Sequence, residues 1–350
     1  TETAHIARGC TLLYVPAEKI TSVEETLANK DLVQTLEGTL IHWTRQINEA
    51  IAYQEAVELA DNAGPLAELE FWEGKAADLS SIEHQITDQK VKIIVQVLQA
   101  SKSSYVEPFL NLSDLIKQGS LEATDNLKFL SLLKEPCMVL AEAKPKVIPD
   151  LLPGILHRIR FIGAHSGFYN TSERVQGLLT KISNEIINRC TANISLTDIF
   201  DGNVDSSIKD LQDSIDALDK WRRLYMIAKE AAGGIWASFT DSSIFAYSDA
   251  FLKRCRDLLE ICEGQKQFGR KIGSDRARVP SFGGSGGPEV MKGLIEIERA
   301  FDKQLTPLRS LKYNILDVKA TKWHDDFGAF ARATKDLEVR TQNLISTAFE

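Results

Sequence analysis

Apolar residues recur at three- and four-residue intervals along almost the whole chain. Leu32, Leu36, Leu40, Trp43, Ile47 and Ile51 form one such series, and Leu69, Trp72, Ala76, Leu79, Glu83 and Ile86 form another, in which Glu83 is the polar member. Val175, Leu178, Ile182 and Ile186 continue the pattern, followed by Ile208, Leu211, Ile215, Leu218, Arg222 and Tyr225, and then by Leu294, Ile297, Phe301, Leu305 and Leu308. Positions with this period return to the same side of an α-helix, so each series predicts an apolar packing stripe.

Proline and glycine supply the punctuation. No proline lies between Pro153 and Pro280, which predicts uninterrupted helices, whereas Pro136, Pro145, Pro149 and Pro153 crowd a region expected to break or turn. Gly64 and Pro65 open a helix, with proline at an early helical position and Glu68 and Glu70 near the positive end of the dipole. The one extended segment is predicted near the N-terminus, at residues 10–15 (CTLLYV). The stretch SFGGSGGPE at 281–289, with the basic GRKIGSDRARVP before it, reads as a loop. The expected fold is therefore all-α: an N-terminal segment over 1–35, an elongated array of helical bundles over 36–275, a Gly-rich linker over 276–289, and further helices at 290–316 and 323–347.

Composition narrows the function classes. With 350 residues, 43% hydrophobic and 26% charged, the chain is neither disordered nor membrane-embedded. Its most apolar stretches, 93–98 and 231–251, are too short to span a bilayer or are interrupted by Asp241 and Asp249. A formal charge of −8 disfavours nucleic acid and anionic membrane as partners. The five cysteines are few, odd in number and widely spaced, as expected of reduced core thiols in a cytosolic compartment. Cys255 and Cys262 would stand about 10 Å apart on one helical face, too far to bridge. The chain starts at Thr1 with no signal peptide and is expected to be a segment of something longer.

The candidate chemistry is thin. GQKQFGRK at 264–271 approaches the phosphate-cradling pattern GxxxxGK[ST], but it follows a helical segment, FLKRCRDLLEICE, instead of a strand. Arg270 stands where the lysine should be, and no serine or threonine follows it to supply the hydroxyl. Gly264 reads instead as a helix C-cap. Trp323-His324-Asp325-Asp326 reads as the first turn of a helix, with acids favourable to its dipole, because neighbouring residues point in different directions and no second cluster completes a metal sphere. His157 and His165 lack a nucleophile-elbow context and read as partly buried or capping residues. FGGSGG has no strand leading into it and no acid at ribose-binding distance. Catalytic residues, cofactors and metal ligands are all expected to be absent.

Several stretches carry a family resemblance. GPLAELEFWEGKAADLSSIE at 64–83 resembles the tail, or stem, of dynein heavy chains, with Gly64, Pro65, Glu68, Phe71 and Trp72 as its signature. FYNTSERVQGLLTKISNEIINRC at 168–190, FGGSGGPE at 282–289 (Phe282, Gly283, Gly284) and the stretch 315–350 containing Trp323 and His324 resemble further tail segments in the same order. The last looks most like axonemal heavy chains. Glu73, Gly74 and Lys75 depart from the arginine-rich sequence that commonly follows the Phe-Trp pair, and residues 1–35 are left unplaced. The resemblance implies a non-catalytic scaffold in the cytoskeleton of a cilium or flagellum. Its partners would be WD-repeat intermediate chains, other heavy chains, and docking-complex or axonemal microtubule-associated proteins. ATP hydrolysis would then belong to AAA modules elsewhere in the protein. The alternatives are another helical tethering scaffold or an independent nucleotide-binding helical protein. Phe71 and Trp72 point about 100° apart on a helix, and both are expected in the bundle core.

Overall fold

The computed structural model of the protein describes residues 20, 22–269 and 284–349. The segment 10–15, expected to be extended, and residues 276–283 of the expected linker lie outside these. Among the described residues there are twelve α-helices, two short 3-10 turns and no strand. They fall into two compact units: the chain up to Val139 joined by Gly154–Lys181, and Leu140–Pro153 joined by the chain from Ile182 onward.

The first unit holds α1 (Val23–Ala28), α2 (Lys30–Glu55), α3 (Pro65–Ile86), α4 (Gln89–Ala100), most of α5 (Val106–Glu142), most of α6 (Ile148–His165) and the start of α7 (Ser172–Asn193). Side-chain oxygens of Ser22, Asn29 and Asp88 accept from the first-turn amides of α1, α2 and α4. Gly64 is the N-cap of α3 and Pro65 its first residue. On α2, Leu36, Leu40, Trp43 and Ile47 are fully buried, and Trp43 meets Phe109 of α5 at 6.1 Å between ring centroids. On α3, Leu69, Trp72, Ala76, Leu79 and Ile86 are buried, but Ile82 completes the stripe and Glu83 does not. A step of three residues instead of four there keeps a carboxylate at the water's edge, where its hydration is retained.

The proline-rich region breaks only once, at a 3-10 turn over Pro145–Val147. α5 runs through Pro136, and α6 contains Pro153. Each proline gives up a backbone hydrogen bond, yet the flanking faces are core: Leu133, Cys137 and Leu140 around one, Leu152, Ile155 and Leu156 around the other. Tertiary packing outweighs the local penalty of about 3 kcal/mol. Pro149 costs less, because first-turn amides have no intrahelical partner to lose.

The second unit contains the remainder of α7, then α8 (Leu196–Asp201), α9 (Val204–Ala232), α10 (Asp241–Phe268), α11 (Gly287–Arg309) and α12 (Trp323–Phe349). The buried stripe of α9 is Ser207, Leu211, Ser214, Leu218, Trp221, Tyr225 and Ala228. The expected Ile208, Ile215 and Arg222 lie at its half-exposed border. Phe245 of α10 packs on Trp221 and Tyr225, at 6.1 and 4.9 Å, and the Trp221 indole N–H donates to Ser183 Oγ at 2.8 Å.

Two helix ends differ from the expectation. α10 continues past Gly264 to Phe268, and its C-cap is Gly269, whose amide donates to the Gln265 carbonyl at 2.8 Å. Gly264 is buried within the last turn, where a Cβ would lie 3.0 Å from the Phe301 ring of α11, so the glycine permits close helix packing. α11 ends at Arg309, two residues after Pro307, and the chain to 322 is turns. Cys137, Cys190, Cys255 and Cys262 are buried and in no disulfide, and burial pushes the Cys190 and Cys262 thiols up to about 12. No helix among the described residues is long and apolar enough to cross a membrane.

Candidate functional site

The Phe-Trp helix and the Phe168-Tyr169 turn, far apart in sequence, meet in the first unit. The turn follows α6 and is tightened by Ser166, whose Oγ accepts from the amides of Phe168 and Tyr169 at 3.3 and 3.2 Å. This aims Tyr169 at α3. Its phenol accepts from the Trp72 indole N–H at 2.9 Å and donates to Glu68 Oε1 at 2.6 Å. Lys181 of α7 pairs with the other Glu68 oxygen at 2.9 Å. Burial, with Glu68 second, pushes the Tyr169 phenol well above its ordinary range, so the proton stays on it.

Aromatic contacts extend this node. Phe168 stands edge-on to Trp72 at 4.9 Å, and the Arg174 guanidinium covers its outer face at 3.7 Å. Phe71 is half-buried, not in the core as expected. One position from Trp72, it turns to the border of the stripe, packs edge-on against that indole at 5.3 Å and lies under the Lys75 ammonium at 5.9 Å. Beside it, Glu73 pairs with Lys134 of α5 at 2.6 Å. Every polar group of the node is spent on a neighbour, which suits it to holding three segments together and leaves no poised nucleophile or base.

The second unit has its own node around Trp323. That residue is buried at the start of α12, with Asp325 and Asp326 in the first turn and His324 exposed. Its indole N–H donates to Asp257 of α10 at 3.0 Å. The neighbouring Arg254 is 7% exposed and donates to the carbonyls of Ile315, Asp317 (3.3 Å) and Ala320 (3.4 Å). Its guanidinium also lies 5.5 Å from the Trp323 ring. Tyr313 donates to Asp326 at 2.6 Å. This explains why 310–322 is folded turn and not helix: its carbonyls face a buried cation that a helical ladder would have left unpaired.

The remaining candidates are scattered. Gly284 has φ +94° and belongs to the turn before α11, while Phe282 and Gly283 lie outside the described residues. Residues 264–268 form the last turn of α10, so their amides serve the helix and not a phosphate cradle. Lys271 lies outside the described residues. His157 is exposed, against the expectation of a partly buried residue, because it falls on the outer face of α6; His165 ends that helix with Nδ1 2.9 Å from the Phe161 carbonyl. Sequence reasoning missed Lys181, Arg254 and Asp257, which look locally like any charged residues on a solvated helix face.

The family described as dynein heavy chain, N-terminal region 1, matches residues 33–350. The chain belongs to the dynein heavy chain family. Among its relatives, the dynein-1-beta heavy chain of the flagellar inner arm I1 complex of Chlamydomonas reinhardtii is 48% identical over all of this chain and 8% of its own length. Dynein axonemal heavy chain 2 of Mus musculus is 36% identical over all of this chain and 6% of its own length. The dynein beta chain of the flagellar outer arm of Chlamydomonas reinhardtii is 28% identical over 98% of this chain and 8% of its own length. The chain thus spans less than a tenth of these dyneins, within their N-terminal region. The first node joins two stretches singled out by their likeness to dynein tails, whereas the second joins one such stretch, around Trp323, to Arg254 and Asp257 of α10, which were not.

Proposed function

We propose that this chain is a non-catalytic assembly scaffold in the tail of an axonemal dynein heavy chain. It binds WD-repeat intermediate chains and neighbouring heavy chains, and through docking or microtubule-associated proteins anchors the motor to its cargo microtubule. It uses no cofactor, and ATP hydrolysis belongs to other parts of the heavy chain. The observation that carries this reading is the saturated node of Glu68, Trp72, Tyr169 and Lys181, where family-like segments are consumed in mutual support and nothing is poised for chemistry. Phe71 and Lys75, at the half-exposed border of that node, are the side chains offered to a partner.

Co-purification of the 350-residue chain with a WD-repeat intermediate chain tests the reading, beside calorimetry with Mg-ATP. Capture of the intermediate chain, weakened by Phe71→Ala with the fold intact, together with no saturable ATP heat, is the expected result. Saturable ATP binding without intermediate-chain capture overturns it.

A further inference from the structure

Helix α5 carries a second periodicity, on its outer side. Residues 110–120, LNLSDLIKQGS, and 121–131, LEATDNLKFLS, share Leu, a hydroxyl residue, Asp, Lys and Ser at equivalent positions, and Leu132 opens a third turn of the repeat. Eleven residues make just over three helical turns, so the repeated side chains stay in line. Leu110, Leu121 and Leu132 are 37%, 72% and 42% exposed, and Asp114, Lys117, Asp125 and Lys128 are exposed beside them. The opposite side of α5 already supplies the core through Phe109, Ile116, Ala123, Leu130 and Cys137. The leucine row is therefore surplus to the packing of this chain.

Its charge order identifies what fits it. If a second α5 is laid antiparallel with Leu121 facing Leu121, Leu110 faces Leu132, Asp114 faces Lys128 and Lys117 faces Asp125. The pattern is its own complement about a two-fold axis, which is the requirement for a symmetric contact between identical chains. Within one chain Lys117 lies 3.6 Å from Asp114, and both remain exposed enough to exchange partners. One like-charge pair remains, Glu107 facing Glu135. We infer that the outer face of α5 is a self-complementary docking surface, and that a second copy of this chain binds it antiparallel about Leu121. This deepens the scaffold reading and rests on it, since it names one surface by which heavy chains pack together. The row spans about 33 Å at the helical rise. A single helix pair is at the low end of specific interface sizes, so the dimer is expected to be of micromolar strength.

Sedimentation equilibrium of the 350-residue chain tests the inference. The wild type should show a reversible monomer–dimer equilibrium that Leu121→Glu abolishes. Lys117→Asp and Asp125→Lys should each weaken it about tenfold. An equimolar mixture of those two variants should associate as the wild type does, because each supplies the charge the other lacks. Glu107→Lys should tighten the dimer. All four positions are exposed, so unchanged circular dichroism and melting will show that the fold is kept. A chain that stays monomeric, a dimer that survives Leu121→Glu, or a mixture that fails to restore association overturns the inference. If intermediate-chain capture persists in those cases, the scaffold reading stands without it.

Discussion

The Trp72 indole and the Tyr169 phenol are hydrogen-bonded at 2.9 Å across 97 residues of sequence, and that same phenol donates to Glu68. One hydroxyl therefore satisfies a buried donor on α3 and ties the turn after α6 to a carboxylate that α7 also holds through Lys181. Replacing it by hydrogen leaves the indole N–H with only a long 3.4 Å contact to Glu68. Tyr169→Phe should cost about 1–3 kcal/mol in urea denaturation. Trp72→Ala should cost more, about 3–5 kcal/mol, because it also opens a cavity.

Alkaline stability should report the same chemistry. Tyr169, Tyr225 and Tyr313 each donate to a carboxylate and are raised above the ordinary tyrosine range, first by burial and then by Glu68, Asp241 and Asp326. A raised folded-state value means the folded chain holds the proton more tightly than the unfolded one. The stabilisation is full below the unfolded value of about 10 and is lost as pH climbs past it. Melting temperature should therefore fall above roughly pH 10, and Tyr169→Phe should flatten that fall.

Arg254 should be the most sensitive charged residue of the second unit. Its removal leaves the carbonyls of Ile315, Asp317 and Ala320 without their donor, and Asp257 without its nearest buried cation. Arg254→Ala should cost roughly 3 kcal/mol or more and speed amide exchange over 310–322. Arg254→Lys should recover little, because a point-like ammonium cannot serve carbonyls spread across a planar fork.

Two helical glycines should respond to alanine with opposite signs. Gly74 of α3 is exposed, and a methyl added there would meet nothing within 4 Å, so Gly74→Ala should stabilise by up to about 1 kcal/mol. At Gly264 the methyl would press on Phe301, which Phe268 and Phe330 hold at 5.8 Å on either side. Gly264→Ala should destabilise by about 1–3 kcal/mol despite its better helix propensity, as thermal melting of the two variants will show.

The all-α fold was legible wherever apolar side chains mark the buried face. The central parts of the stripes of α2, α7 and α11 could be read from Leu, Ile, Val, Phe and Trp, although Leu32, Ile51 and Leu294 lie at the half-buried border and Thr39, Gln46, Ser183 and Asn184 share the core. On α9 the reading drifted by one position, since Ser207, Ser214 and Ala228 are buried for their smallness and look polar or neutral in sequence. Gly264 shows a different limit. A glycine near a helix end serves a cap or a close approach equally well, and the choice depends on Phe301, on another helix. The candidate site was visible only in pieces. Residues 64–83 and 168–190 each stood out, but nothing in either stretch says that Tyr169 reaches Trp72, because that contact is made by the course of α5 and α6 between them.

The first unit is not continuous in the chain: it takes Gly154–Lys181 only after Leu140–Pro153 has been given to the second. During synthesis Trp72 leaves the ribosome 97 residues before the tyrosine that satisfies it. At about 5–20 residues per second, that leaves the indole waiting roughly 5–20 s. Over that interval the nascent helix presents Leu69, Trp72, Ala76 and Leu79 without the turn that later covers the indole, a natural landing place for chaperones. A ribosome stalled before Tyr169 would hold a first unit unable to finish folding.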